Sequence, residues 1–357
     1  MKKLDKYGIR GVTNKWFESY LSNRVQYVSN YGKRSQIKAI LHGVPQGSVL
    51  GPLLFIIYIN DLYNAILYSK TSLFADDTCF LYSDSLLKRL EKRINIDLKR
   101  LYKWLCANKI SLNVAKTEVV LFRNVHKKIN YDVKLKLSGK ILYFSKQVKY
   151  LGITVDEFLS WADHTKELSN KLRNANGVIS KMRYLVPKST LFSIYNALFL
   201  SHLNYACQIW AQNLNPNTNR ILKLQKCSIR LLSFANFNAH TTPYFLQHNI
   251  LKLPDLVKKR NIVLTHHSLN NECPIEITKT FNLNYHPENY NTRGRSMHLL
   301  TRPRCRTTKY GLNSITYQSI IHWNELQLHH SDINLASVSV SKINQLTSKF
   351  LLSQYLT

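Results

Sequence analysis

Ser72-Leu73-Phe74-Ala75-Asp76-Asp77-Thr78-Cys79-Phe80-Leu81-Tyr82 is two short apolar runs joined at a pair of adjacent carboxylates. The pattern predicts a β-hairpin with Asp76 and Asp77 at its tip, although the Asn-Gly usual in such turns is absent. Neighbouring carboxylates repel, and burial raises their pKa, so a positioned pair implies a cation. Two hard metal ions held by such aspartates suit phosphoryl transfer: one activates a hydroxyl and both clamp the leaving group. Taken alone, the dipeptide also reads as a solvated Asp-Asp turn.

About thirty residues upstream stands Gly43-Val44-Pro45-Gln46-Gly47-Ser48-Val49-Leu50-Gly51-Pro52-Leu53. A Gly-rich loop leading into a helix lets backbone and Gln46 approach a nucleotide or template base closely. Residues 53–67 are nearly all apolar and predict a helix buried on most sides, with Pro52 in its first turn. Upstream, residues 6–21 predict helix, turn and helix around Gly8 and Gly11, and 25–41 predict strands either side of Asn30-Tyr31-Gly32-Lys33.

Downstream of the hairpin, residues 85–108 carry Leu87, Leu90, Ile94, Leu98, Leu101 and Leu105 at helical spacing, while Lys88, Arg89, Lys92, Arg93, Lys99, Arg100 and Lys103 crowd the remaining surface. Strand-like pieces follow at 118–122, 134–137, 141–144 and 148–155, so the chain to residue 156 predicts a mixed α/β domain. Beyond it the pattern turns helical, at 164–185, 189–211, 218–234 and 253–269. Residues 270–295 predict a linker or long surface loop, and the last stretch, with Trp323 and Phe350, carries too little pattern to place.

The composition fits a phosphate-rich partner. Of 357 residues, Lys+Arg number 50 against Asp+Glu 20, a formal net charge of +30 spread over both halves. With 45% hydrophobic residues the chain is long enough for real cores and is not a disordered tail. Cys79, Cys106, Cys207, Cys227, Cys273 and Cys305 lie far apart with no CxxC pair, which predicts reduced thiols in an intracellular protein rather than a disulfide framework. His266-His267 and His329-His330 have no Cys or carboxylate at ligand spacing, so no zinc site is expected. The opening Met1-Lys2-Lys3-Leu4-Asp5-Lys6 is too charged for a signal peptide. The charge-free stretch 189–219 is interrupted by polar residues and predicts a buried helix rather than a membrane span.

The Gly-loop and the Asp pair, in this order, resemble the reverse transcriptases of non-LTR (LINE-type, jockey-like) retrotransposons. Tyr7-Gly8-Ile9-Arg10-Gly11, Trp16-Phe17 and Ser19-Tyr20-Leu21-Ser22-Asn23-Arg24 are similar to the family's stretch before its Gly-Pro-Gln-Gly loop. Trp104, Asn108-Lys109, Ser111-Leu112-Asn113 and Lys116-Thr117 look like its next block, and Tyr150-Leu151-Gly152-Ile153 like its primer-gripping hairpin. Tyr290-Asn291-Thr292-Arg293, Pro303-Arg304, Tyr310-Gly311 and Trp323-Asn324 are similar to the tails of such elements.

The resemblance implies an α+β fold: a partial polymerase right-hand palm (antiparallel sheet with helices) over residues 1–156, lacking fingers and the first catalytic strand. A helical thumb-like region at 157–235 and a C-terminal basic region at 236–357 would follow. It implies that Asp76 ligates both catalytic metals, Mg²⁺ or Mn²⁺, with Asp77 in support. Gln46 and Gly47 would line the nucleotide and template pocket with Phe74, which stands where many relatives have Tyr. Lys116 would protonate or steady the leaving pyrophosphate, an ordinary exposed loop lysine being the other reading, and Tyr150, Leu151 and Gly152 would meet the primer, with a purely structural bend the other reading of Gly152. Arg293, Arg295, Arg302, Arg304 and Arg306 would contact nucleic acid; an ordinary solvated face is the other reading of such charge.

The reaction so implied is RNA-directed DNA synthesis, with an RNA template, a DNA primer and dNTPs as partners. One departure stands against it. In the family a further metal-binding aspartate lies in a run like Phe-Asp-x-Val-Asp-His, upstream of the segment with which this chain opens, and no such run occurs here. A two-metal site without that carboxylate is expected to lose ion affinity. The alternative expectation is therefore a catalytically silent remnant that only binds nucleic acid, and a third is a chain left unstable by an unpaired sheet edge.

Overall fold

The structure is a computed structural model that describes residues 1–40, 43–45, 47–212, 216–281 and 298–356. Two compact units divide the chain, Met1–Leu159 and Ser160–Thr357. Both helices and small antiparallel sheets are present, and among the described residues the sheets are confined to the first unit.

The first unit opens with α1 (Lys2–Lys6) and α2 (Gly11–Leu21), separated where Gly8 takes φ 84°. Four two-residue strands follow: β1 (Val25–Gln26), β2 (Ser29–Asn30), β3 (Lys33–Arg34) and β4 (Lys38–Ala39), paired as β1–β4 and β2–β3. The predicted helix at 53–67 is shorter and less buried than its composition suggested. It forms as α3 (Leu50–Ile59) and a 3₁₀ turn, Asn60–Ala65, and Leu53, Ile56 and Tyr63 are exposed. The burial falls on Leu54, Ile59 and Leu62, because a helix resting on one layer hides only one stripe.

Strands β5 (Lys70–Phe74) and β6 (Asp77–Leu81) form the predicted hairpin, and α4 (Leu87–Ala107) is the predicted amphipathic helix. Asp84 starts α4: it accepts the Leu86 N–H at 3.0 Å and ion-pairs with Arg89 at 2.7 Å and Arg93 at 2.6 Å. Hydrogen bonds from Arg89 and Leu86 hold its carboxyl well below the usual range. Strands β7 (Leu135–Leu137), β8 (Lys140–Leu142), β9 (Gln147–Tyr150) and β10 (Ile153–Asp156) then pair as β7–β8 and β9–β10. The expected strand at 118–122 is reduced to a single bridge, Val119 to Phe144.

The first unit's core joins Leu98, Leu101 and Leu105 of α4 to Leu135, Leu137 and Leu142, with Ile59 and Leu62 beneath. Each fully buried leucine contributes about 2 kcal/mol. Lys3 pins α1 to this core: its ammonium lies 2.6 Å from Asp61 Oδ1 and over the rings of Tyr58 and Trp104 at 4.6 and 4.8 Å.

The second unit is helical: α5 (Ala162–Met182), α6 (Lys188–Tyr195), α7 (Ser201–Asn204), α8 (Cys207–Trp210), α9 (Pro216–Leu232), α10 (Thr242–Gln247), α11 (Leu253–Leu269), α12 (Ile275–Phe281), α13 (Ile315–His329) and α14 (Val340–Ser353). The expected helix at 189–211 is broken. A π-turn spans Asn196–Leu200, and Ala206 at φ 48° ends α7. The Tyr205 carbonyl at this break accepts the Trp210 indole N–H at 3.1 Å. The unplaced last stretch holds a core of its own: Ile320, Trp323 and Leu326 of α13 meet Ile262 of α11, Leu335 and Ile343.

Candidate nucleotidyl-transfer site

Phe74 pairs with Asp77 in register, so β5 and β6 are joined by a two-residue loop, Ala75-Asp76, with Ala75 at φ 49°. Alternation along the strands sends Leu73 and Phe80 toward the core and leaves Phe74 and Asp77 on the opposite face. Phe74 is 62% exposed, so the ring borders open space. Asp76 and Asp77 are both exposed, and neither side chain has a hydrogen bond or ion pair among the described residues.

The base of the hairpin is fixed from behind. Asp97 of α4, fully buried, accepts the backbone N–H of Leu67 at 2.9 Å through Oδ1 and of Tyr68 at 3.0 Å through Oδ2. Burial, and then the Asp97 charge, push the Tyr82 hydroxyl well above its usual range. Sequence reading missed Asp97 because a carboxylate inside a basic amphipathic helix looks like solvent-facing charge. Its only signal was its position on the apolar stripe between Ile94 and Leu101.

In the Gly-loop, Gly43 and Gly47 take φ 85° and 80°, values open to glycine at no steric cost. Ser48 Oγ donates to the Pro45 carbonyl at 2.8 Å and accepts the Gly51 N–H at 3.0 Å, closing the turn into α3. Gln46 lies outside the described residues. Lys116 is exposed at the end of a 3₁₀ turn, Val114–Lys116, which Asn113 caps by accepting the Ala115 N–H at 3.1 Å.

The hairpin β9–β10 turns at Leu151 (φ 45°) and Gly152 (φ 79°), between the paired residues Tyr150 and Ile153. Positive φ at both central positions is the type I′ requirement. The Tyr150 hydroxyl is buried and without a hydrogen-bond partner among the described residues.

Basic residues divide by their partners. On α4, Arg89 and Arg93 are taken by Asp84, and Arg100 donates to the Ala65 carbonyl at 2.6 Å. Lys88, Lys92, Lys99 and Lys103 remain exposed with no ion pair among the described residues. At the helical repeat these four fall within an arc of about 60° running roughly 22 Å along the helix. In the second unit Arg302, Arg304 and Arg306 are exposed, while Arg293 and Arg295 lie outside the described residues. Their segment is held at its start by Leu300, whose N–H and C=O both bond the Asn324 amide at 2.9 Å. At its end, a Cβ on Gly311 would come within 3.0 Å of Cys305 Cβ.

Comparison with known proteins gives the likeness of the first unit and of the chain. Residues 1–155, nearly all of the first unit, match the family model described as reverse transcriptase (RNA-dependent DNA polymerase). The chain is 27% identical over 258 residues to the RNA-directed DNA polymerase from mobile element jockey of Drosophila melanogaster, covering 69% of this chain and 27% of that protein. It is also 27% identical over 254 residues to the probable RNA-directed DNA polymerase from transposon X-element of the same fly, covering 68% and 27%. It is 26% identical over 235 residues to a Pol polyprotein from type-1 retrotransposable element R1 of Bradysia coprophila, covering 64% and 23%. The chain thus spans about a quarter of the length of these relatives. No helix among the described residues is long and apolar enough to cross a membrane.

Proposed function

We propose that the first unit carries RNA-directed DNA synthesis, adding dNTPs to a primer 3′-hydroxyl on an RNA template, with Asp76 and Asp77 as the residues that hold the catalytic cations. The supporting observation is the state of this pair: two adjacent carboxylates, open to solvent, free of partners among the described residues, on a hairpin tip whose base is bolted to the core through Asp97. Hard, anionic, oxygen-only donors with room for water and phosphate oxygens fit Mg²⁺ or Mn²⁺. Two such ions, when bound, supply charge stabilisation at the attacking and leaving oxygens.

The protein's own part is positioning. Phe74, on the same face as Asp77, offers a ring edge to the sugar and base, and Gln46 and Gly47 are assigned to the nucleotide and template pocket. Gly47, at φ 80° with open space where a side chain would stand, lets backbone approach the ligand. Lys116 steadies the pyrophosphate as it departs. The type I′ turn at Leu151-Gly152 and the adjacent Tyr150 border the primer. Arg302, Arg304 and Arg306, with Arg293 and Arg295, track phosphates without reading sequence.

Primer extension by the 357-residue chain on an RNA template, with dNTPs and Mg²⁺ or Mn²⁺, tests the reading. Extension by the wild-type chain and none by Asp76→Ala is expected. No extension by the wild type, with template-primer binding that is salt-steep and indifferent to Asp76→Ala, would replace synthesis with nucleic-acid holding as the function.

A further inference from the structure

The last turn of α11 carries His266 and His267, and the chain then reverses so that Glu272 comes back against them. Asn271 takes φ 55° and the Glu272 N–H bonds the His267 carbonyl at 2.9 Å, a Schellman closure of the helix. The turn delivers Glu272 Oε2 to 2.5 Å from His267 Nδ1. One nitrogen of each imidazole and one Glu272 oxygen lie within 4.8 Å of one another. The expectation that these histidines lack a carboxylate is thus corrected: an offset of five residues is no helical spacing, and only the left-handed turn makes it a contact.

His266 is 2% exposed, and its hydrogen bonds fix its tautomer. The Nε2 atom lies 2.8 Å from the Val338 carbonyl, an acceptor only, so Nε2 carries the proton. The Asn270 amide, 3.3 Å from the same nitrogen, has both its hydrogens directed at the carbonyls of His266 and Ala336, each at 3.1 Å. This leaves Nδ1 as the lone-pair nitrogen, and that atom is buried with no hydrogen-bond partner among the described residues. A ring whose far N–H is anchored to a backbone carbonyl while its imine nitrogen stays free is the arrangement seen in metal-ligating histidines. An unpaired buried acceptor is otherwise costly. The site also sits at the negative end of a helix dipole, which favours a cation.

We propose that His266, His267 and Glu272 bind a divalent transition-metal ion of the Zn²⁺ class, with an open position left for water. Two imidazoles and one carboxylate match that ion's donor preference and do not suit Mg²⁺, which is held by oxygen. The ion joins the end of α11 to the turn behind it and, through the His266–Val338 bond, to the segment leading into α14. Trp323 Nε1, in a ring 6.3 Å from that of His266, is also without a partner among the described residues. A buried water serving both atoms is the arrangement that failure of the following test would favour.

The test uses the full chain, stripped with a chelator and kept in excess Mg²⁺ so that oxygen-only sites are occupied. Zn²⁺ is titrated against a chromophoric competitor, with Co²⁺ absorption as a second readout. His267→Ala and Glu272→Gln change partly exposed side chains and leave His266 and its packing intact. The wild type is expected to take up one more Zn²⁺ than either variant, or to bind it at least tenfold more tightly, and to show an intense Co²⁺ d–d band that both variants lose. Equal stoichiometry and affinity in all three chains, or no Zn²⁺ uptake by the wild type, would overturn the proposal. If either variant fails to fold, X-ray absorption on the Zn²⁺-loaded wild type decides: imidazole ligation supports the site, and sulfur-only ligation refutes it.

Discussion

Asp97 Oδ1 accepts the backbone N–H of Leu67 at 2.9 Å, across the helix-to-strand junction that feeds the hairpin bearing Asp76 and Asp77. Its second oxygen takes the next N–H, that of Tyr68, at 3.0 Å, so one buried carboxylate satisfies two successive donors that the turn leaves unpaired. Replacing Asp97 by Asn preserves the shape but turns an amide NH₂ toward one of those donors. Losing one buried charged hydrogen bond costs about 1.5–3 kcal/mol. Asp97→Asn is therefore expected to lower the unfolding free energy of the first unit by that amount, read as a lower urea midpoint at unchanged slope, and Asp97→Ala by more. A midpoint unchanged in both would show that the junction is held by something else.

Two glycines of the loop at 43–51 are required for different reasons. A Cβ on Gly51 would stand 2.7 Å from the Pro45 carbonyl oxygen and 3.0 Å from Ser48 Oγ, backbone and a tied hydroxyl that cannot retreat cheaply. Gly47 has open space around it and is constrained only by φ 80°. Gly51→Ala is expected to cost about 1–3 kcal/mol by forcing the loop off α3. For Gly47→Ala the cost is about 1–2 kcal/mol, confined to backbone strain. Thermal unfolding ranks the two, and loop proteolysis separates them: only the Gly51 variant should expose a new cleavage site at 43–48.

How far the sequence foretold this structure follows from where polarity tracks burial. The hairpin 72–82 and helix α4 were legible because their apolar residues fall at strand or helix spacing. Helix α13 was not, because it buries Ser319, Asn324 and Gln327 together with Ile320, Trp323 and Leu326. Polar side chains that bond backbone erase the contrast between faces. Gln327, for example, serves the Ile333 carbonyl at 2.7 Å and the Leu335 N–H at 3.1 Å. Asp97 and Glu272 were missed for the same reason, since each acts through a contact that helical or strand spacing does not encode. In the candidate site, the Asp pair and its hairpin were readable, whereas the bolts behind them were not.

Asn324 binds both backbone groups of Leu300, immediately before the exposed arginines 302, 304 and 306. The resemblance had drawn attention to Trp323-Asn324 as a shared pair, and the structure gives each a packing role: the indole fills the second core and the amide ties down the chain. Asn324→Ala removes two buried bonds, expected at roughly 1–3 kcal/mol, and unfastens the arginine segment. Trypsin should then cleave at Arg302–Arg306 at least tenfold faster than in the wild type. Nucleic-acid affinity should fall with a shallower salt slope if those arginines meet phosphates. Faster cleavage with unchanged binding would remove the segment from the nucleic-acid surface.

Acid should weaken the second unit through His322. Burial, aided by the positive charge of Lys258, lowers its pKa from 6.5 to about 4, and the ring is only 8% exposed. Asn261 Nδ2 lies 3.1 Å from Nδ1, so the neutral ring accepts there, an acceptor that protonation would abolish. A pKa depressed on folding means that the unfolded chain binds the proton first. The stability from a neutral His322 is complete above pH 6.5, declines as pH falls, and is exhausted below about 4. Across that window the loss amounts to roughly 3 kcal/mol at most. His322→Gln keeps an acceptor for Asn261 and cannot titrate. Between pH 7 and pH 4.5 the wild type is therefore expected to lose about 2–3 kcal/mol more than the variant in denaturant unfolding. Parallel pH profiles for the two chains would mean that the imidazole is already hydrated enough to accept its proton in the folded state.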